Sequence, residues 1–159
     1  MTVERAILIW VWVLCIVLIP ILIPKHRSRE AILLFLANQL LTWILSVMFV
    51  EWGLLENPIR EFPAASGSNF TNNYLLFPFL STLFSLYYPN HKSFGLQVLY
   101  QIMFVLGGGI YIACISKYTE LLRYIHLNVY LQMLVTLIVI NMTRLYGIWF
   151  FQKKTHQER

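Results

Sequence analysis

Aspartate is missing from the chain: all seven acidic residues are glutamates, and charged side chains make up only 12% of the 159 positions. Cysteine occurs twice, glycine seven times and proline six times. Each shortage excludes a class of protein. A soluble domain carries about 25% charged residues, so a chain this poor in charge and 58% apolar cannot cover itself in water. Two cysteines cannot staple a small secreted scaffold, scarce glycine and proline exclude collagen-like and low-complexity chains, and high apolar content excludes disorder. No HExxH, CxxC or Asp-rich metal signature is present, nor a GxSxG elbow, a phosphate-cradling loop or a dinucleotide fingerprint; Gly107, Gly108 and Gly109 follow no strand. What remains is greasy: the mean hydropathy is +0.65.

A bilayer core about 30 Å thick is crossed by about 20 helical residues. Five apolar runs approach that length, over 6–23, 31–52, 70–88, 96–115 and 128–151. They lack the period of two that a membrane strand requires. The expectation is a single all-α domain over 1–159, a polytopic bundle of five transmembrane helices. The third run is the weakest. Asn72 and Asn73 cut into its start, Pro78 sits inside it, and Ser81, Thr82 and Ser85 dilute it, so a re-entrant segment is the alternative.

Charge decides between them, because Lys and Arg in short loops favour the cytoplasmic side. Five crossings with the N-terminus outside put Lys25, Arg27, Arg29, Lys92, Arg144, Lys153, Lys154 and Arg159 inside, leaving Arg5, Arg60, Lys117 and Arg123 outside. A re-entrant third run would move Lys92 and the basic tail outside and reverse the bias. The expected orientation is therefore N-out and C-in. Glu4, Glu51, Glu56, Glu61 and Glu120 then fall outside as well. The first run has no net positive leading edge and no small-residue cleavage site, so it reads as a retained span. Pro20 and Pro24 mark its end more simply than a hinge. Trp10, Trp12, Trp52, Tyr118 and Tyr124 on one side, and Tyr87, Tyr88, Trp149, Phe150 and Phe151 on the other, fit headgroup-level aromatic belts.

Polar groups inside hydrocarbon are costly without partners, and so they are the candidate site. By depth, Asn38, Gln39, Gln101, Asn141 and Arg144 from three helices are expected in one inner-leaflet layer. Asn38 with Thr42, Gln97 with Gln101, and Asn141 with Arg144 each share a helix face. Interhelical glue is the plainer reading of this layer, and a ligand cavity the sharper one. No intramembrane carboxylate offsets Arg144, which is expected to snorkel to phosphates, with Glu30 or an anionic ligand as other partners. Gly107, Gly108 and Gly109 cost helix propensity, so a close approach to that backbone is expected. Gly109 with Ala113, and Ser81 with Ser85, are small-residue pairs that permit tight helix packing.

The four histidines, His26, His91, His126 and His156, divide between the two sides and cannot converge on one metal. Cys15 and Cys114 read as small apolar side chains. Glu51, Glu56, Arg60 and Glu61 face Glu120 and His126 across the outer loops. A carboxylate with His126 can serve as an acid–base pair, but a solvated acidic face is the simpler reading. Asn69-Phe70-Thr71 matches a glycosylation sequon. The net charge of +5 is expected to meet anionic lipid headgroups rather than nucleic acid.

The segment FTNNYLLFPFLSTLFSLYYPN, with GLQVLYQIMFVLGGGIY, YIHLNVYLQMLVTLIVI and RLYGIWF after it, resembles a family of small multi-pass membrane proteins of spore-forming Firmicutes. Tyr74, Pro78, Pro89, Tyr100, Gln101 and Tyr130 carry the likeness. Where that family has an aromatic and polar element before its last helix, this chain reads His126-Leu127-Asn128-Val129-Tyr130. The resemblance implies a bacterial cytoplasmic membrane and a sporulation setting, and no activity. The function expected is a non-catalytic structural or interaction component without cofactor, contacting membrane lipids, its own copies or another membrane protein. The alternative is a small transporter, channel subunit or lipid- or anion-binding protein that uses the inner polar layer.

Overall fold

The computed structural model describes residues 3–157, with side chains as far as Phe151. Its elements in chain order are α1 (Val3–Leu22), α2 (Ser28–Glu51), β1 (Leu55–Glu56), α3 (Phe77–Leu86), α4 (Phe94–Tyr118), β2 (Arg123–Tyr124) and α5 (Val129–Gln157). A 3₁₀ turn, Lys25–Arg27, joins α1 to α2, and a π-helical turn, Asn72–Leu76, leads directly into α3. The all-α class is as expected. Four helices are long and apolar enough to cross a membrane, with mean hydropathies of 2.6, 2.0, 2.0 and 1.6 in the windows of α1, α2, α4 and α5. Prolines place one boundary: α1 stops at Leu22, between Pro20 and Pro24.

The third apolar run is built differently. α3 itself has only 10 residues, and the π turn extends it. It lies among the other helices, packed chiefly on α2 and also on α5 and α1. Pro78, Phe79, Ser81, Thr82, Phe84 and Leu86 are buried. Its small and hydroxylated residues therefore meet other helices instead of lipid, which explains why its hydropathy is diluted. The four longer helices keep most of their apolar side chains outward, as Ile16, Leu40, Met103, Ile110 and Leu134 illustrate.

Contacts define two ends. At the basic end, the Arg27 guanidinium pairs with Glu30 at 2.7 Å and donates to the Leu86 carbonyl at 2.5 Å, while the Tyr87 hydroxyl donates to the Leu22 carbonyl at 2.6 Å. Phe84 there gathers Tyr88, Tyr100 and Phe104 at ring separations of 5.3, 5.4 and 5.3 Å. The side chains of Lys153, Lys154 and His156, and Arg159 entirely, lie outside the described residues.

At the other end, β1 and β2 pair antiparallel, Leu55 opposite Tyr124 and Glu56 opposite Arg123. The entry to β1 is a Schellman stop: Gly53, at φ 64°, donates to the Val50 carbonyl at 3.0 Å and Leu54 to the Phe49 carbonyl at 2.9 Å, a left-handed turn that favours glycine. Arg123 then bridges Glu56 at 2.9 Å and Glu120 at 2.6 Å. Leu121, fully buried, seals this end against Leu8 and Ile115.

Two predictions follow from this packing. A Cβ on Gly147 would stand 2.6 Å from Cδ2 of buried Leu34, so Gly147→Val is expected to cost about 1–3 kcal/mol of unfolding free energy in micelles, part of it recovered by Leu34→Ala. Additive losses in that double-mutant cycle would contradict the contact. Burial pushes Tyr124 from its ordinary 10.0 up to about 12, and its hydroxyl has no partner. The folded chain therefore holds the neutral phenol while the unfolded chain ionises. Stability is fully present below about pH 10 and falls as pH rises to about 12. In Tyr124→Phe that decline is expected to flatten in thermal melts.

Candidate functional site

Pro78 sets the local chemistry of α3. It has no N–H, and its ring crowds the preceding turn, so backbone carbonyls there lose their helical donor. The chain widens into the π turn, with the Phe77 N–H on the Asn72 carbonyl. The carbonyls of Asn73 and Tyr74 instead accept from α2: Thr42 Oγ1 donates to the first at 2.7 Å and Gln39 Nε2 to the second at 2.9 Å. Residues three apart share a helix face, so one side of α2 serves both carbonyls. One turn further, Asn73 Nδ2 donates to Ser46 Oγ at 2.9 Å.

Asn38 makes a separate clasp. Its Nδ2 donates to Ser81 Oγ and Thr143 Oγ1, both at 2.9 Å, tying α2 to α3 and α5. Thr143 Oγ1 already donates to the Val139 carbonyl at 2.9 Å, so it can only accept from Asn38, which fixes the amide orientation. Asn38 is 1% exposed, and its Oδ1 has no partner.

A third network lies toward the basic end. Gln101 Nε2 donates to the Tyr88 hydroxyl at 2.8 Å, and Asn141 Nδ2 donates to Gln101 Oε1 at 3.1 Å. The Arg144 guanidinium sits 3.7 Å from the Tyr88 ring centroid and donates to Asn90 Oδ1. A cation over an aromatic face and a neutral amide thus receive the charge that Glu30 was a candidate to meet; Glu30 is paired with Arg27. Arg144 does reach toward the basic end, as snorkelling requires.

The single layer expected from depth is therefore divided. Gln101, Asn141 and Arg144 are brought together through Tyr88; Asn38 and Gln39 are not part of that group. Adjacent residues point about 100° apart around a helix of 3.6 residues per turn. Asn38 accordingly faces Ser81 and Thr143, while Gln39 faces the π turn.

At the strand end, residues read as exposed turn inward. The Glu61 carboxylate caps the third helical run, accepting the Phe70 N–H at 3.0 Å and the Thr71 N–H at 2.9 Å. It does not lie on a solvated acidic face. Asn69 Oδ1 caps the Asn72 N–H at 2.9 Å, and Asn69 is 2% exposed, so the sequon is buried in the folded chain. Trp12 donates from Nε1 to Thr71 Oγ1 at 2.9 Å, and Tyr88 is buried within the basic-end network. The Tyr111 hydroxyl reaches Asn72 Oδ1 at 2.8 Å. His126 stays exposed at the strand end, its backbone N–H bonded to the Leu54 carbonyl.

Between α2, α3, α4 and α5, under the β1–β2 loops, lies a partly enclosed cavity of about 110 Å³. Polar lining residues include Asn38, Asn69, Asn72 and Gln132, and among the described residues no charged side chain lines it. Close approach to the glycine run is confined to Gly109, where a Cβ would meet the Met133 sulfur at 2.7 Å. At Gly107 and Gly108 nothing lies within 4 Å of that position, because Gly107 is exposed and Gly108 faces the cavity. Ala113 is half-buried. Ser81 is buried in the α2–α3 contact, and the Ser85 hydroxyl folds back on the Ser81 carbonyl at 2.9 Å.

Asn69, Asn72, Asn73 and Gln132 do not stand out by depth counting. The signal for the first three was the proline five residues beyond Asn73, since a helix interrupted there needs side-chain donors and caps. Among the described residues, no group of three His, Cys, Asp or Glu is placed to hold a metal, and Cys15 and Cys114 are free thiols. No protein-family model, curated protein or solved structure matches the chain.

Asn38→Leu removes both donors of the clasp. It is expected to lower unfolding free energy by about 1–2 kcal/mol, near the upper end for a membrane hydrogen-bond network. An unchanged denaturation midpoint in bicelles would mean that the clasp contributes nothing.

Proposed function

We propose that the chain is a multi-pass integral protein of the bacterial cytoplasmic membrane, crossing five times with its amino end outside and its carboxyl end in the cytoplasm. It acts there as a non-catalytic structural or interaction component. Supporting five crossings is the course of the third run: Thr71 meets Trp12 at the strand end, and Leu86 meets Arg27 at the basic end. Lys25, Arg27, Arg29 and Lys92 cluster at the basic end, which supports assigning that end to the cytoplasm. The proposed setting, a spore-forming bacterium, rests on the likeness carried by Tyr74, Pro78, Pro89, Tyr100, Gln101 and Tyr130.

One observation carries the functional reading. The amide N–H groups of Asn38, Gln101 and Asn141 are bonded to side chains of neighbouring helices or of the α3–α4 connection, in the sets Asn38–Ser81–Thr143 and Tyr88–Gln101–Asn141. An ion pathway instead needs ionisable or hydrated groups along a continuous route. The cation Arg144 of α5 rests on Tyr88 at the basic end and does not line the cavity. Partners are then membrane lipids around the outward faces, with association through those faces.

Two measurements test this. A cysteine at Ala64 is expected to react with an impermeant maleimide in intact cells, and one at Ser93 only after permeabilisation. The opposite pattern would reverse the orientation. In liposomes loaded with pH- and potassium-sensitive dyes, the purified chain is expected to pass neither ion. Ion flux abolished by Asn38→Leu or Arg144→Leu would favour a transporter or channel.

A further inference from the structure

We propose that the cavity among α2, α3, α4 and α5 is a binding site for an uncharged amphiphile drawn from the bilayer, with a hydroxyl- or amide-bearing head. This goes beyond the role proposed above. It relies on that reading only in taking the ligand from lipid, and the labelling experiment tests that point separately.

The cavity has room for more than a single water. A single buried water needs about 10–15 Å³, and the cavity measures about 110 Å³. Its polar groups are also incomplete. Six buried side-chain atoms among the described residues lack a hydrogen-bond partner, and three belong to residues lining this cavity: Asn38 Oδ1, Asn69 Nδ2 and Gln132 Oε1. Two of these amide orientations are fixed by their other bonds. Thr143 can only accept from Asn38, and Asn69 Oδ1 is held by the Asn72 N–H. The Asn38 side therefore offers an acceptor and the Asn69 side a donor, with the Gln132 amide as a third polar group.

Asn38 and Asn69 are 1% and 2% exposed, so their unpaired atoms have lost bulk water and bear the cost of desolvation. A head that both donates and accepts, such as a glycerol or a primary amide, matches this set. A carboxylate, phosphate or ammonium does not, because no lining residue is charged and a buried unpaired charge is far more costly than a neutral group. Leu80 and Phe104 supply apolar wall for the start of an acyl chain. Gly108 keeps the α4 side of the cavity smooth, with open space where a Cβ would stand.

The test uses the full chain in detergent and native mass spectrometry with four probes: monodecanoin, decanoate, decane and free glycerol. Monodecanoin is expected to remain bound, and the other three to bind at least about tenfold more weakly. Gly108→Leu fills the cavity and is expected to abolish retention; Gln132→Leu removes one polar amide and is expected to weaken it about threefold or more. Thermal melts establish that each variant is folded, and Gln132→Leu decides alone if Gly108→Leu does not fold. Failure to retain monodecanoin would overturn the proposal, as would equal retention by folded variants. Equal binding of decanoate or decane would overturn the neutral polar head, and equal binding of glycerol would overturn the bilayer source.

Discussion

Backbone groups buried away from water must find partners within the chain, and a proline in the central helix therefore dictates much of what surrounds it. Pro78 leaves carbonyls of the preceding turn without helical donors. The π turn and the side chains of Gln39 and Thr42 answer that deficit within 2.9 Å. This pins α2 to α3 in one register, and the same face of α2 carries Ser46 to Asn73. Asn38, adjacent to Gln39 and about 100° round the helix from it, is thereby aimed at Ser81 and Thr143, which brings α5 into place. The order of the bundle follows from where polar groups must find partners, since apolar contact alone discriminates poorly between helices already bathed in lipid tails.

The cavity is a consequence of the same arrangement. A π turn widens the helix locally, and the asparagines that cap or flank it, Asn69, Asn72 and Asn73, all line the cavity. Tyr111 from α4 reaches Asn72 across it. Glycine at 108 leaves space on that side where a larger residue would fill it. Toward the basic end, Phe84 and Tyr88 pack against Tyr100 and Phe104 of α4 and Ile140 of α5, and Arg144 lies over Tyr88. One half of the interior holds a mainly apolar cavity edged by a few amides, while the other is filled by aromatic rings.

Apolar run length made the helical class and the four long helices legible from sequence, because a run of about 20 apolar residues has few other uses. The position of the third run in the middle was not legible. Its serines, threonines and asparagines lower hydropathy in the same way whether they face water, lipid or another helix. Depth counting found Gln101, Asn141 and Arg144, which do meet through Tyr88. It grouped Asn38 and Gln39 with them because it ignores direction around the helix. Glu61 and Asn69 were misread for a related reason: in a loop sequence, a helix cap and a solvated side chain look alike until the loop folds back. Arg144 was legible as an anomaly, but its resolution on an aromatic ring was not, since Tyr88 reads equally well as part of an interfacial belt.

The stitching of the interrupted helix by α2 is the claim on which the arrangement turns. Isotope-edited infrared spectroscopy of the chain in lipid, with a labelled carbonyl at Tyr74, tests it most directly. The account predicts a carbonyl band at hydrogen-bonded frequency that shifts upward in Gln39→Leu. A band that is already free in the parent chain, or one that does not move on substitution, would contradict it.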